Sequence, residues 1–265
     1  MKIGFIGCGN MARPIIKGIL KNAKETFDTV CVYDILREPL LAFCAETGAV
    51  AAKDSLSLVA ASDVVVLATK PQTFPELLPQ IANGLKRKNP LVASIAAGKT
   101  LSYIGSFLGY DARLGRIFPN LNAEVGQSVS SYCVNENANE GDAEILRVIC
   151  ESYGMAVALP EELFSAFGVL SGCAPAYTFM YIGALASAAV ENGLSAELAL
   201  PVACQMALGS AQTLLKTGEQ PDALIKRVCS PGGTTIEGVN YLRENGFEKT
   251  VRNAYQASFD KDKKL

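Results

Sequence analysis

Directly after a short apolar run, Lys2-Ile3-Gly4-Phe5-Ile6, the chain reads Gly7-Cys8-Gly9-Asn10-Met11-Ala12 and then takes up the helical period of 12–20. Gly7 permits a tight turn, Gly9 lets the backbone approach a pyrophosphate, and the small Ala12 lets helix and strand pack closely. The same spacing also occurs in turns that bind nothing. Here it opens a strand-turn-helix unit with further alternating units behind it, which points to a dinucleotide cradle with Ile6, Gly7, Gly9, Asn10, Met11 and Ala12 as cofactor contacts. At the end of the next strand-like run stands Asp34, 22 positions after Ala12. A carboxylate there accepts hydrogen bonds from adenosine ribose hydroxyls and repels a 2′-phosphate. Arg37, three residues on, is able to pair with such a phosphate instead. The cofactor is therefore NADPH or NADH, with a lean to NADH from Asp34. Ala68, Thr69, Lys70 and Pro71 follow the fourth strand, and Ala96 and Ala97 follow the fifth. Ligands of open parallel sheets sit beyond the carboxyl ends of strands, so both tails should face the nicotinamide half.

A second constellation lies far along the chain, Ser230-Pro231-Gly232-Gly233-Thr234-Thr235, just before a helical period over 236–243. Two glycines let the backbone come close to a ligand, and the helix N-terminus attracts an anion. A helix cap without a ligand is the plainer alternative. Histidine and tryptophan are absent. That removes every Ser-His-Asp triad, Cys-His pair and histidine acid, and every zinc site built on imidazole. No metal site is expected. The eight cysteines form no CxxC pair, and a chain of 265 residues needs no disulfide framework to fold, so they read as reduced thiols of a cytoplasmic protein. A net charge of -2 offers no basic face for nucleic acid.

These residues need elements to hold them. Strands are expected at 2–6, 29–33, 49–52, 63–68, 91–95, 112–117 and 129–134, with amphipathic stretches between most of them. The alternation implies a parallel sheet with helices on both faces, an α/β Rossmann-like doubly wound domain over 1–160. From 161 to 265 the chain is alanine- and leucine-rich, with helical periods broken at Pro175, Gly193, Pro201, 218–221 and 231–233, and reads as an all-α domain. Residues 260–265 read as a solvated tail. The apolar run at the amino terminus ends at Gly7, too short for a signal-peptide core. The uncharged stretch 163–190 would span a bilayer by length, but its many small residues favour a helix buried against other helices or a second subunit, with no membrane.

Taken together, Gly7 to Ala12, Ala68 to Gln72, Arg116-Ile117-Phe118-Pro119-Asn120, Ser171-Gly172 with Pro175-Ala176-Tyr177, and above all residues 230–235 resemble the pyrroline-5-carboxylate reductase family, in the family's order and over nearly the whole length. The resemblance implies NAD(P)H-dependent reduction of 1-pyrroline-5-carboxylate to L-proline. It also implies a homodimer whose helical domains interlock so that each site draws on both chains; further assembly of dimers is left open. By the same resemblance, Ser230, Gly232, Gly233, Thr234 and Thr235 hold the substrate carboxylate. Thr235 is the catalytic hydroxyl on the ring nitrogen, and Glu219 lies near the cationic iminium. Four departures stand out: Asn122 where the family usually has proline, Cys173-Ala174 within a segment usually Ser-Gly-Ser-Gly-Pro, Ser55 where an asparagine usually faces the adenosine, and Gln220 in place of a common histidine. Ser55 and Asp34 together make the adenosine contacts the least conventional part. A beta-hydroxyacid dehydrogenase shares the opening and a helical second domain, but its catalytic lysine has no counterpart in 163–190. A cofactor-binding redox regulator without turnover is the alternative from another class. Without imidazole, the proton must come with the substrate or through hydroxyl and water.

Overall fold

The computed structural model describes residues 1–264. In it the chain forms two compact units, Met1–Gly172 and Cys173–Lys264. The first unit runs β1 (Lys2–Ile6), α1 (Ala12–Asn22), β2 (Thr29–Tyr33), α2 (Arg37–Thr47), β3 (Val50–Ala51), α3 (Ser55–Ala61), β4 (Val64–Leu67), α4 (Phe74–Lys88), β5 (Leu91–Ser94), α5 (Leu101–Leu108), β6 (Leu114–Phe118), β7 (Ser128–Val134), α6 (Glu140–Glu151), β8 (Gly154–Ala158) and α7 (Phe164–Gly168). The strands form one sheet in the order β3-β2-β1-β4-β5-β6-β7-β8. Strand order reverses between β1 and β4, the crevice where open α/β sheets bind ligands.

The central strands are buried on both faces, which is why Val64-Val65-Val66-Leu67 reads as an unbroken apolar run rather than an alternating one. Ile3, Phe5, Val64 and Val66 point into a core shared with α1, α2 and α6 through Ile16, Phe43 and Ile149. Ile6, Val65 and Leu67 point to the other face, against α3, α4 and α5 through Leu58, Leu78 and Ile104. Two departures from the sequence expectation appear at the far end of the sheet. β7 pairs antiparallel with β6, the one antiparallel pairing among the described residues, because the link between them is only a 3-10 turn closed by left-handed Gly126, too short for a parallel crossover. The second is β8, a strand absent from the sequence reading, which pairs parallel with β7.

The second unit is wholly helical: α8 (Ala174–Glu191), α9 (Ala196–Thr217), α10 (Pro221–Val228), α11 (Thr234–Glu244) and α12 (Phe247–Asp262). Gly193, Gly218 and Gly232 mark breaks with positive φ, as expected. The two prolines behave differently. Pro175 lies in the first turn of α8, where its missing N–H leaves nothing unpaired, and Pro201 is carried inside α9 at the loss of one helical hydrogen bond. The tail expected over 260–265 is helical through Asp262, and Leu265 lies outside the described residues. The buried core of this unit consists of Ala186, Ala199 and Ala203. Phe179, Met180, Leu198, Val202, Leu208 and Leu215 stand exposed. Segments Glu161–Glu191 and Ala196–Thr217 are long and apolar enough to cross a membrane by length and composition.

Candidate functional site

The glycine-rich turn leaves β1 at the crevice. Gly7 has φ +107°, and its N–H donates to Tyr33 O at 2.8 Å. A Cβ at Gly7 would lie 2.7 Å from the carbonyl of Ala68, so any side chain there would push β1 and β4 apart. At Gly9 a Cβ would meet nothing within 4 Å; the space beside this backbone is open, as a cradle for a bulky anionic group requires. Ala12 is buried at the start of α1, whose N-cap residue Met11 makes no side-chain cap, leaving the N-terminal end of the helix dipole open to a phosphate.

Asp34 is placed by the end of β2 and carries the turn. Its Oδ2 accepts from Cys8 N–H at 2.7 Å and its Oδ1 from Leu36 N–H at 2.9 Å. The carboxylate thus holds the glycine-rich turn in shape. Arg37 is exposed and donates through Nη1 to Ala52 O at 2.7 Å. Arg13 reaches back, Nε donating to Cys8 O at 3.0 Å, and burial pushes the Cys8 thiol up, keeping it protonated and inert. Ser55 is the first residue of α3, buried behind the Asp54 cap, whose Oδ1 accepts from Ser57 N–H at 2.7 Å.

At the carboxyl end of β4, Ala68 N–H donates to Ile6 O at 2.8 Å, which ties this tail to β1. Thr69 and Thr73 share a hydroxyl hydrogen bond of 2.8 Å, and Thr73 N–H caps Lys70 O, so Lys70 and Pro71 open a tight 3-10 turn with the lysine exposed. Beyond β5, Ala96 N–H donates to Ser94 Oγ at 3.2 Å, and Ala97 is exposed. The predicted cofactor residues other than Ser55 and Asp34 therefore converge on the carboxyl ends of β1, β4 and β5.

In the helical unit, Gly232 has φ +69°, and Gly233 N–H donates to Ser230 O at 3.0 Å. A Cβ on Gly233 would fall 2.4 Å from Ser230 Oγ, which would have to rotate away, while Gly232 is the position whose positive φ requires glycine. The loop delivers the chain into α11 with Gly233 at the N-cap and no side chain closing the helix end, and with Thr234 and Thr235 exposed on its first turn. Glu219, at the Gly218 turn, is half-buried and ion-paired with Arg227 of α10. Arg227 was not signalled by the sequence, since eight residues and a helix start separate the partners. No group of His, Cys, Asp and Glu suited to hold a metal occurs among the described residues.

A third feature ties the end of β6 to α7 and the chain on either side of it. Arg116, buried, pairs with Glu161 at 2.9 Å and stacks its guanidinium over Phe164, 4.7 Å from the ring centroid. Glu161 also accepts from Leu101 N–H at 2.9 Å, capping α5. Asn120 Nδ2 donates to Ser171 O at 2.9 Å. The Arg116–Asn120 and Ser171–Gly172 motifs, separate in sequence, are neighbours in space.

The pyrroline-5-carboxylate reductase dimerisation model matches residues 161–265, and a model for coenzyme F420-dependent NADP oxidoreductases matches 2–98. The pyrroline-5-carboxylate reductase of Escherichia coli is 37% identical over 100% of this chain and 98% of its own length. Among solved structures, a pyrroline-5-carboxylate reductase of Coxiella burnetii superposes with a TM-score of 0.92 at 30% identity, covering 99% of this chain and 97% of the other. The pyrroline carboxylate reductase of Plasmodium falciparum, solved with NADP bound, gives 0.88 at 28% identity, covering 99% and 97%.

Proposed function

Because this chain belongs to the pyrroline-5-carboxylate reductase family, it is an oxidoreductase that reduces 1-pyrroline-5-carboxylate to L-proline with NAD(P)H in proline biosynthesis, and we propose that its glycine-rich turn holds the cofactor while its 230–235 loop holds the substrate. The residues fit a dinucleotide: a left-handed Gly7 packed on the Ala68 carbonyl and open space beside Gly9 are what such a ligand requires. When bound, the nicotinamide supplies a hydride. Everything else falls to this chain's own groups. Backbone N–H groups of Gly232, Thr234 and Thr235 and the open end of α11 hold the substrate carboxylate, the Gly233 N–H being taken by Ser230 O. A five-membered cyclic imine is basic enough to arrive protonated, and its N–H donates to Thr235 Oγ. As hydride adds to the ring carbon, the C=N π pair moves to nitrogen, leaving a neutral amine that takes its last proton from water. No imidazole is needed. Glu219, steadied by Arg227, faces the positive ring nitrogen.

The observation that carries this reading is the 230–235 loop, whose glycines and uncapped helix end form an anion cradle beside two exposed threonine hydroxyls. Asp34 sets a preference for NADH, since a fixed carboxylate at the end of β2 repels a 2′-phosphate. The setting is a cytosolic homodimer, consistent with eight free thiols. Purified protein given 1-pyrroline-5-carboxylate should oxidise both cofactors, NADH with the higher kcat/KM. Folded, cofactor-bound protein that oxidised neither would end the reading.

A further inference from the structure

Two motifs singled out in the sequence have no part in the chemistry above: Pro119-Asn120 beyond β6, and Ser171-Gly172 before α8. They meet in one small device. Asn120 and Ser171 are only 3% and 4% exposed, and the hydrogen bond from Asn120 Nδ2 to Ser171 O joins them. Asn120 N–H is also fixed, on Ser128 Oγ at 3.3 Å. The ring of Phe118 fills the gap behind them: a Cβ on Gly168 would lie 2.8 Å from its Cζ, and one on Gly172 3.0 Å from its Cε1. The turn carrying Ser171, Val169–Cys173, is a π turn, a rare geometry concentrated at functional positions.

Within this packed junction, Asn120 Oδ1 and Ser171 Oγ have no hydrogen-bond partner. Leaving a buried acceptor and a buried hydroxyl unsatisfied is costly, so such groups call for an explanation in a bound molecule or in function. Their position supplies one. β6 runs parallel to β5, Arg116 pairs with Ser94, and Asn120 therefore projects past the same sheet edge as Ala96 and Ala97, where the nicotinamide half of a dinucleotide lies. Leu121 and Gly172, their immediate chain neighbours, are both exposed.

We propose that Asn120 and Ser171 are positioning residues for the nicotinamide carboxamide: its NH2 donates to Asn120 Oδ1, and its carbonyl accepts from Ser171 Oγ–H. The complementarity is specific. A primary carboxamide offers one donor edge and one acceptor edge, and the junction lacks one partner of each kind. Holding the carboxamide fixes the rotation of the ring, and hence which face presents its hydride. This inference rests on the cofactor reading above.

Ser171→Ala is the sharpest test, because the backbone carbonyl that binds Asn120 survives while only the orphan hydroxyl is lost. Dissociation constants are measured by calorimetry for NADH and for ADP-ribose, which lacks the nicotinamide. The expected result is five- to tenfold weaker binding of NADH, unchanged binding of ADP-ribose and an unchanged or higher Tm. Ser171→Cys, which keeps the volume with a weak donor, should fall between, and serves if the alanine variant folds poorly. Equal NADH affinity in wild type and Ser171→Ala would overturn the proposal, as would an equal loss for both ligands. Wild-type protein that bound neither cofactor would fail the cofactor reading instead, which keeps the two outcomes apart.

Discussion

At the residue scale, the proposed chemistry rests on hydroxyl and carboxylate groups, and each makes a separable prediction. Thr235 stands on the first turn of α11 with its hydroxyl free to accept from a protonated ring nitrogen. A hydrogen bond to a charged group contributes about 1.5–3 kcal/mol, so Thr235→Ala should lower kcat/KM by roughly 10- to 100-fold. NADH affinity should stay at the wild-type value, because nothing in the glycine-rich turn has changed. Steady-state kinetics and a cofactor titration on the same preparation check both halves, and unchanged turnover would remove Thr235 from the mechanism. Asp34 works differently, since it binds two backbone N–H groups of its own chain as well as having the proposed part in selecting the cofactor. Asp34→Ser should move the NADH to NADPH ratio of kcat/KM at least tenfold toward NADPH while weakening both cofactors, the signature of a residue that shapes the turn it selects through.

At the scale of elements, the joints decide more than the elements do. Arg116 on β6 is buried, and its charge is met by Glu161 and the face of Phe164. Glu161→Gln would leave that guanidinium without a counter-charge and weaken the cap on α5. The expected loss is about 3 kcal/mol, at the low end for a broken buried pair because Glu161 keeps some solvent. Urea unfolding would read it as a lower midpoint. A second joint titrates. Asp63, just before β4, accepts from Lys2 N–H at 2.8 Å and from Lys88 at 3.0 Å, and these hold its carboxyl below the usual carboxylate range. A depressed folded pKa means the stabilisation is complete above the unfolded value and is lost as pH falls through the folded one. Asp63→Asn should therefore flatten the acid limb of Tm against pH below about pH 4 and leave its shape at neutral pH alone. Neither joint could be seen in the sequence. β1, β4 and β5 were legible because strands buried on both faces read as near-continuous apolar runs, β2 because Thr29-Val30-Cys31-Val32-Tyr33 is rich in β-branched and aromatic residues, and the Gly7 to Ala12 turn because each glycine has a local reason. β8 was missed because Gly154-Met155-Ala156-Val157-Ala158 holds a single β-branched residue; its one signal is Gly154, where a Cβ would lie 2.1 Å from Ser128 O. Arg116 and Glu161 are 45 residues apart, and no periodicity links a strand end to a distant 3-10 turn.

For the whole molecule, the contrast between the two units is the governing fact. The sheet unit carries two full cores, one on each face. The helical unit buries three alanines and leaves large side chains such as Leu198, Val202 and Leu215 more than half exposed. At roughly 25 cal/mol per Å² of apolar surface, a core of three alanines contributes too little to hold five helices together. The dimerisation match over 161–265 makes the uncharged stretch that could be weighed as a membrane span a candidate for the surface a second copy would cover. Folding of this unit and association should then be one event. Tm should rise with protein concentration, because a partner that binds only the folded state stabilises by mass action. Val202→Asp, which places a charge in the middle of the exposed face of α9, should give monomers by analytical ultracentrifugation and lose far-UV helical signal at a lower temperature. The sheet unit has its own cores, so NADH binding should outlast the helical signal during the melt. A concentration-independent Tm, or a stable helical monomer of Val202→Asp, would show that the helices hold themselves together and that the exposed apolar face serves some other contact.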